Sequence, residues 1–121
     1  MTTWADVEAI IAKLDGVTEG TRYGQPTWFV HGRALAWDRP YSKADLKRFG
    51  TEPPPAQEPI LAIGTIDLHE KEAILASGTK GVFTISHFDG YAAILVELSA
   101  ISRKELRQLL VEAHAGLASP K

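Results

Sequence analysis

No cysteine occurs among the 121 residues, which removes disulfide staples, thiolate zinc sites and thiol catalysis together. Long apolar runs are missing too. The longest, Tyr91 to Val96, has six residues, against the roughly 20 that a membrane-spanning helix needs. The opening Met1-Thr2-Thr3-Trp4-Ala5-Asp6 lacks the basic start and apolar stretch of a signal peptide. These absences point to a cytoplasmic, soluble domain with no membrane partner. There is no large excess of charge either: the net charge of −2 argues against a uniformly basic nucleic-acid binder.

Chemical motifs are equally scarce. No G-x-x-x-x-G-K-[ST] loop is present to cradle phosphate. His69-Glu70 opens like a zinc-protease helix, but Ala73 stands where the second histidine is needed, so no metal pair forms. Ser86, His87 and Asp89 supply the side-chain types of a hydrolase triad, yet neighbours in a strand point to opposite faces. His31, His87 and His114 have no metal-ligand spacing. The sequence thus shows no catalytic residue, no metal site and no cofactor motif.

What is present is ordinary globular composition, with 45% apolar and 23% charged residues, enough for one domain spanning 1–121 with its own core. Trp4, Val7, Ile10, Ile11 and Leu14 recur at helical spacing, predicting a helix over 3–15 capped by Thr3. Residues 16–24 read as an irregular lead-in. Thr27 to His31 and Ala34 to Trp37 read as strands around a Gly32-Arg33 reversal, and Ser42 caps a short helix closed by Gly50. Pro53, Pro54, Pro55 and Pro59 make 51–59 an exposed, extended loop. Ile60 to Ile66 is a strand, and Asp67 caps a helix reaching about Ser77. Val82 to Ser86 and Tyr91 to Leu98 are strands across a hairpin turn at 87–90. Ser102 with Glu105 opens a last helix over about 103–116. Short links between strands imply an antiparallel sheet. The fold class is α+β: about five strands, with the N- and C-terminal helices packed on one face.

Charge is distributed unevenly. Residues 22–48 hold six cations, Arg22, Arg33, Arg39, Lys43, Lys47 and Arg48, against Asp38 and Asp45, leaving +4 there and −6 elsewhere. Trp28, Phe29, Trp37 and Tyr41 lie among them. Cations with aromatics suit a nucleic-acid surface, but tryptophans in a small domain are chiefly core residues, so Trp28 and Trp37 are expected to face inward.

The segment from Thr18 to Trp28 (TEGTRYGQPTW) and His87-Phe88-Asp89-Gly90-Tyr91 together resemble the MmcQ/YjbR family. Arg39-Pro40 with Ser42-Lys43-Ala44-Asp45, and Glu70 to Leu75, resemble its longer form. The resemblance implies a compact α+β bacterial domain, with a double-wing-like fold that is commonly labelled DNA-binding, and no established enzymatic reaction. Glu97 departs from the arginine found near that position in many relatives, removing one potential phosphate contact.

Two functions follow as expectations. One is non-enzymatic binding of the DNA backbone through Arg22, Arg33, Arg39, Lys43, Lys47 and Arg48, with a log-log salt slope of about −4 if four phosphates are neutralised. The alternative is a small-molecule- or protein-binding module built on Tyr23, His87 and Tyr91. A competing structural role for His87 and Asp89 is to stabilise their turn by side-chain hydrogen bonds to the backbone.

Overall fold

In the computed structural model, which describes residues 1–118, each α-helix begins at a side-chain cap. Thr3 and Asp6 form a reciprocal capping box at α1 (Trp4–Ile11), and Ser42 and Asp45 form another at α2 (Lys43–Phe49). The Asp67 carboxylate accepts from the Glu70 N–H at the start of α3 (Leu68–Ala76), and Ser102 accepts from the Glu105 N–H at the start of α4 (Arg103–Ala118). Each device satisfies N–H groups that a helix's first turn leaves unpaired. Residues 119–121, including the end of the predicted 1–121 domain, lie outside the described residues. No helix among the described residues is long and apolar enough to cross a membrane.

The sheet has six antiparallel strands: β1 (Val17–Arg22), β2 (Gln25–Val30), β3 (Arg33–Asp38), β4 (Ile60–Gly64), β5 (Val82–Phe83) and β6 (Ala93–Glu97), in the order β1-β2-β3-β4-β6-β5. It is an open α+β sheet with one strand more than the sequence predicts. The extra strand is β1, expected to be irregular. It is an edge strand with four exposed residues in a row, so it carries no apolar alternation and is held by backbone pairing to β2. The β2–β3 reversal falls at His31-Gly32, one residue before the expected position.

The 87–90 stretch is not a hairpin turn. β5 ends at Phe83, Ser86–Phe88 form one 3₁₀ turn, and β6 starts only at Ala93. The physical reason is burial. Ile85 and Phe88 leave the sheet to cover its second face, packing with Trp37, Ile60, Ala62 and Leu95. The N- and C-terminal helices share one face, as expected, but not every helix does, because α2 contributes to the second. α1 and α4 cover the first face over Trp28, Val30, Leu35, Leu61, Ile63, Ile94 and Val96. On the second face the 85–91 segment is joined by Phe49 of α2 and by Tyr41. With both faces covered, β4 reads as a continuous apolar run rather than an alternating one.

A bulge in β3 decides which face receives Trp37. Trp28 pairs with Ala36 but Phe29 pairs with Ala34, so Leu35 is an extra residue. Leu35 and Ala36 both join the helix-covered face, and Trp37 is turned to the other. Both Trp28 and Trp37 are buried, as the sequence predicts.

Candidate functional site

Around Trp37, on the second face, three segments remote in sequence meet. The first is the β1–β2 hairpin, where Arg22 pairs with Gln25 across the two-residue turn Tyr23-Gly24. Both turn residues have positive φ, +52° and +77°, as a type I′ turn requires. Glycine adopts that conformation freely, whereas a tyrosine there costs of order 1 kcal/mol. Tyr23 is nevertheless 93% exposed and makes almost no packing contribution to the fold.

The second segment is 85–91. Its turn is closed by backbone bonds from Phe88 N–H to the Ile85 carbonyl (2.9 Å), Asp89 N–H to Ser86 (3.0 Å) and Tyr91 N–H to Phe88 (3.0 Å). Lys71 of α3 donates its ammonium to the carbonyls of Phe88 and Tyr91. The expected side-chain bonds from His87 and Asp89 to the turn backbone are not found among the described residues; backbone groups and Lys71 supply that stabilisation. Nor does a hydrogen bond join Ser86 to His87 among the described residues.

The third segment runs from Trp37 to Ser42, between the end of β3 and the start of α2. Together the three enclose an open cleft of about 830 Å³. Its aromatic wall is Trp37 edge-on to Tyr91 (ring centroids 6.3 Å apart) and Tyr91 edge-on to Phe88 (5.5 Å). Tyr41 flanks it, anchored by a hydroxyl that donates to the Ala56 carbonyl (2.7 Å) and accepts from the Ala56 N–H (3.1 Å).

The two arginines of the cleft are in different states. Arg39 is paired with the buried Asp45 at 3.0 Å, donates to the Pro40 carbonyl and lies over the Phe88 ring at 5.4 Å. Arg22 lies over Trp37 at 5.4 Å and over Tyr23 at 5.7 Å, and among the described residues its guanidinium makes no hydrogen bond or ion pair. Burial alone would raise the Asp45 pKa; the Ser42 backbone bond and the Arg39 pair outweigh it and hold the carboxyl below its ordinary value. Asp38, also at the cleft, is raised by desolvation and then by the charge of Glu58. Desolvation likewise raises Tyr41, against the opposing Ala56 bond.

The sequence-derived candidates divide accordingly. Tyr23, His87 and Tyr91 line one cleft, together with Arg22 and Arg39. Lys43, Lys47 and Arg48 are exposed on α2. Arg33 is elsewhere: its guanidinium donates to the Leu117 carbonyl of α4 (3.2 Å), so the six cations do not form one surface. His114 Nε2 sits 2.7 Å from the Asp15 carbonyl, and His69 is exposed in the first turn of α3. Glu97 accepts from the Gln57 N–H (2.9 Å), fastening the proline-rich segment to β6. Sequence reasoning missed the Arg22–Trp37 stack, the Arg39–Asp45 pair and Lys71. A Tyr-Gly dipeptide between strand-forming residues was the available signal for the first; Lys71 had none, because its partners are carbonyls.

A small α+β domain with an open six-stranded antiparallel sheet and an aromatic cleft on one face is the class that this geometry defines. No family model matches the chain, and no solved structure matches it. It is 38% identical over 116 residues to the uncharacterized proteins Rv2570 of Mycobacterium tuberculosis and Mb2600 of Mycobacterium bovis, an alignment covering 93% of this chain and 86% of each relative. The chain belongs to the family of these mycobacterial proteins.

Proposed function

We propose that this protein binds a small molecule, without turnover, in the cleft between the Tyr23 hairpin, Trp37 and the 87–91 segment. One observation carries the reading: Tyr23, His87 and Tyr91, drawn from distant parts of the chain, line the same cleft of about 830 Å³, within the range of small-ligand sites. Perturbed carboxyl groups at and beside the cleft, Asp38 and Asp45, are a further trait of ligand sites. Placement in the MmcQ/YjbR family is part of the same proposal, since its motif residues contribute Tyr23, His87 and Tyr91. The test is an amide and indole NMR shift map during a screen of pooled metabolites. Shifts concentrated on Tyr23, Trp37, His87 and Tyr91 support the reading; shifts elsewhere, or none, overturn it.

A second reading, contact with the DNA backbone, draws on α2, where Lys43 and Lys47 are one helical turn apart and, with Arg48, exposed. With Arg33 on the helix side, Arg39 neutralised and Arg22 in the cleft, the three cations of α2 are left to engage three phosphates rather than four. Titration of duplex DNA at two salt concentrations then gives a log-log slope of about −3. Salt-independent or absent binding removes this reading.

A further inference from the structure

Resting on the cleft reading, we propose that the ligand is a flat aromatic monocarboxylate, its ring against the Trp37–Tyr91 wall, its carboxylate on the Arg22 guanidinium, and Tyr23 closing over it. The aromatic surface that the fold leaves uncovered in this wall is that of Tyr91, 43% exposed although the buried Trp37 and Phe88 both contact it edge-on. Planar rings complement such a wall through offset or edge-on contact.

The anionic end follows from the contrast between the arginines. Arg39 is committed to Asp45 and the Pro40 carbonyl, whereas Arg22 is oriented by two aromatic rings and keeps its donors. A guanidinium fork placed beside two rings with its donors unused matches a carboxylate with two parallel hydrogen bonds. A phosphate ester, with its greater charge, fits poorly. Of the two cleft arginines only Arg22 is free of an ion pair among the described residues, and the Asp38 carboxyl group lines the same space. The start of α2 offers no anion site either, because Ser42 and Asp45 already cap it.

Tyr23 supplies the second, independent observation. The turn needs positive φ at this position, which asparagine or glycine provides with less strain. Tyrosine stands there with its ring 93% exposed, touching Arg22 and bordering the cleft. Its place is accounted for by a ligand that it covers and not by the fold that it strains.

The experiment is calorimetric titration of the full chain with benzoate and cinnamate, with benzamide and cinnamamide as neutral counterparts, and with phenyl phosphate. It is run on the parent protein and on Arg22→Gln and Tyr23→Asn, each checked by its thermal midpoint. The expected result is carboxylate binding about tenfold or more tighter than amide binding, the size of a charge-assisted hydrogen bond, with the preference lost in Arg22→Gln. Tyr23→Asn weakens both classes several-fold while its thermal midpoint rises, because the turn is relieved. Equal affinity for acid and amide overturns the anion assignment and leaves the cleft reading intact. Tighter phenyl phosphate binding overturns the carboxylate class. A lowered midpoint in Tyr23→Asn makes that residue structural and overturns its closing role. Absence of any titration overturns the ligand class, while the separate metabolite shift map decides the cleft itself.

Discussion

The Lys71 ammonium sits 2.5 Å from the Phe88 carbonyl oxygen and 2.8 Å from that of Tyr91, with its residue only 3% exposed. A lysine from α3, whose Ile74 and Leu75 pack with the helix-covered core, thereby pins the turn that forms one wall of the cleft. Lys71→Met keeps the length of the side chain and removes both bonds. Loss of charged hydrogen bonds to buried carbonyls is expected to cost about 2–4 kcal/mol, read as a lower urea midpoint. The Tyr91 N–H, which donates to the Phe88 carbonyl, then exchanges faster with solvent than amides of β4. An unchanged midpoint with unchanged exchange refutes the pinning role.

Asp45 Oδ2 takes both the Arg39 guanidinium (3.0 Å) and the Ser42 N–H (2.9 Å), and Oδ1 is buried without a partner. Asp45→Asn leaves Arg39 uncompensated and is expected to cost about 3–5 kcal/mol, the usual penalty for breaking a buried pair from one side. The pH dependence has a definite sign. The folded Asp45 carboxyl is lowered from its ordinary value of 3.8, so its contribution is present above that value and disappears as pH falls through the folded pKa. Asp38 is raised, so its contribution favours the fold at low pH and fades as pH rises from 3.8 through the raised value. Denaturation curves between pH 2 and 7 should show a shallower acid loss in Asp45→Asn and a steeper one in Asp38→Asn.

Two glycines give opposite expectations for the same substitution. A Cβ on Gly64 would lie 2.6 Å from the Ala34 carbonyl oxygen, which belongs to the paired strand and cannot swing aside. Gly64→Ala is therefore expected to destabilise by about 1–3 kcal/mol or more, as overpacking does. On Gly116, within α4, a Cβ meets Ile66 at an ordinary 3.6 Å. Gly116→Ala is expected to stabilise by about 0.5–1 kcal/mol, the helical advantage of alanine. Thermal melts of the pair, side by side, check both signs.

His31, in the β2–β3 turn, has a φ of +51° and lies at the far end of β2 from Tyr23. His31→Asn suits that conformation better and should raise the thermal midpoint by a few degrees, equivalent to up to about 1 kcal/mol. Ligand binding in the cleft should be unaffected. If it weakens, the cleft reports on sheet stability in general and the two hairpin turns are not separable.

The amino-acid sequence by itself determined what is local. Thr3, Ser42, Asp67 and Ser102 announce the four helix starts because a cap is made within four residues. The apolar run of β4 and the helical stripe ending at Leu117 announce buried elements in the same way. Local pattern could not reveal β1, because an exposed edge strand is specified by its neighbour's backbone and not by its own side chains. It could not reveal the 3₁₀ turn at Ser86–Phe88, because Phe88 leaves the strand path only when a second face needs covering. The cleft is the furthest removed from sequence. It exists because one extra residue in β3 turns Trp37 away from Leu35, bringing it beside Arg22 from one direction and Tyr91 from the other. The division of the cations was likewise decided in three dimensions: alternation along the paired strands sends Arg33 to α4 and Arg22 to the cleft. A charge count along the chain adds Arg22 and Arg33 together, whereas the pleat of the sheet sets them on opposite faces.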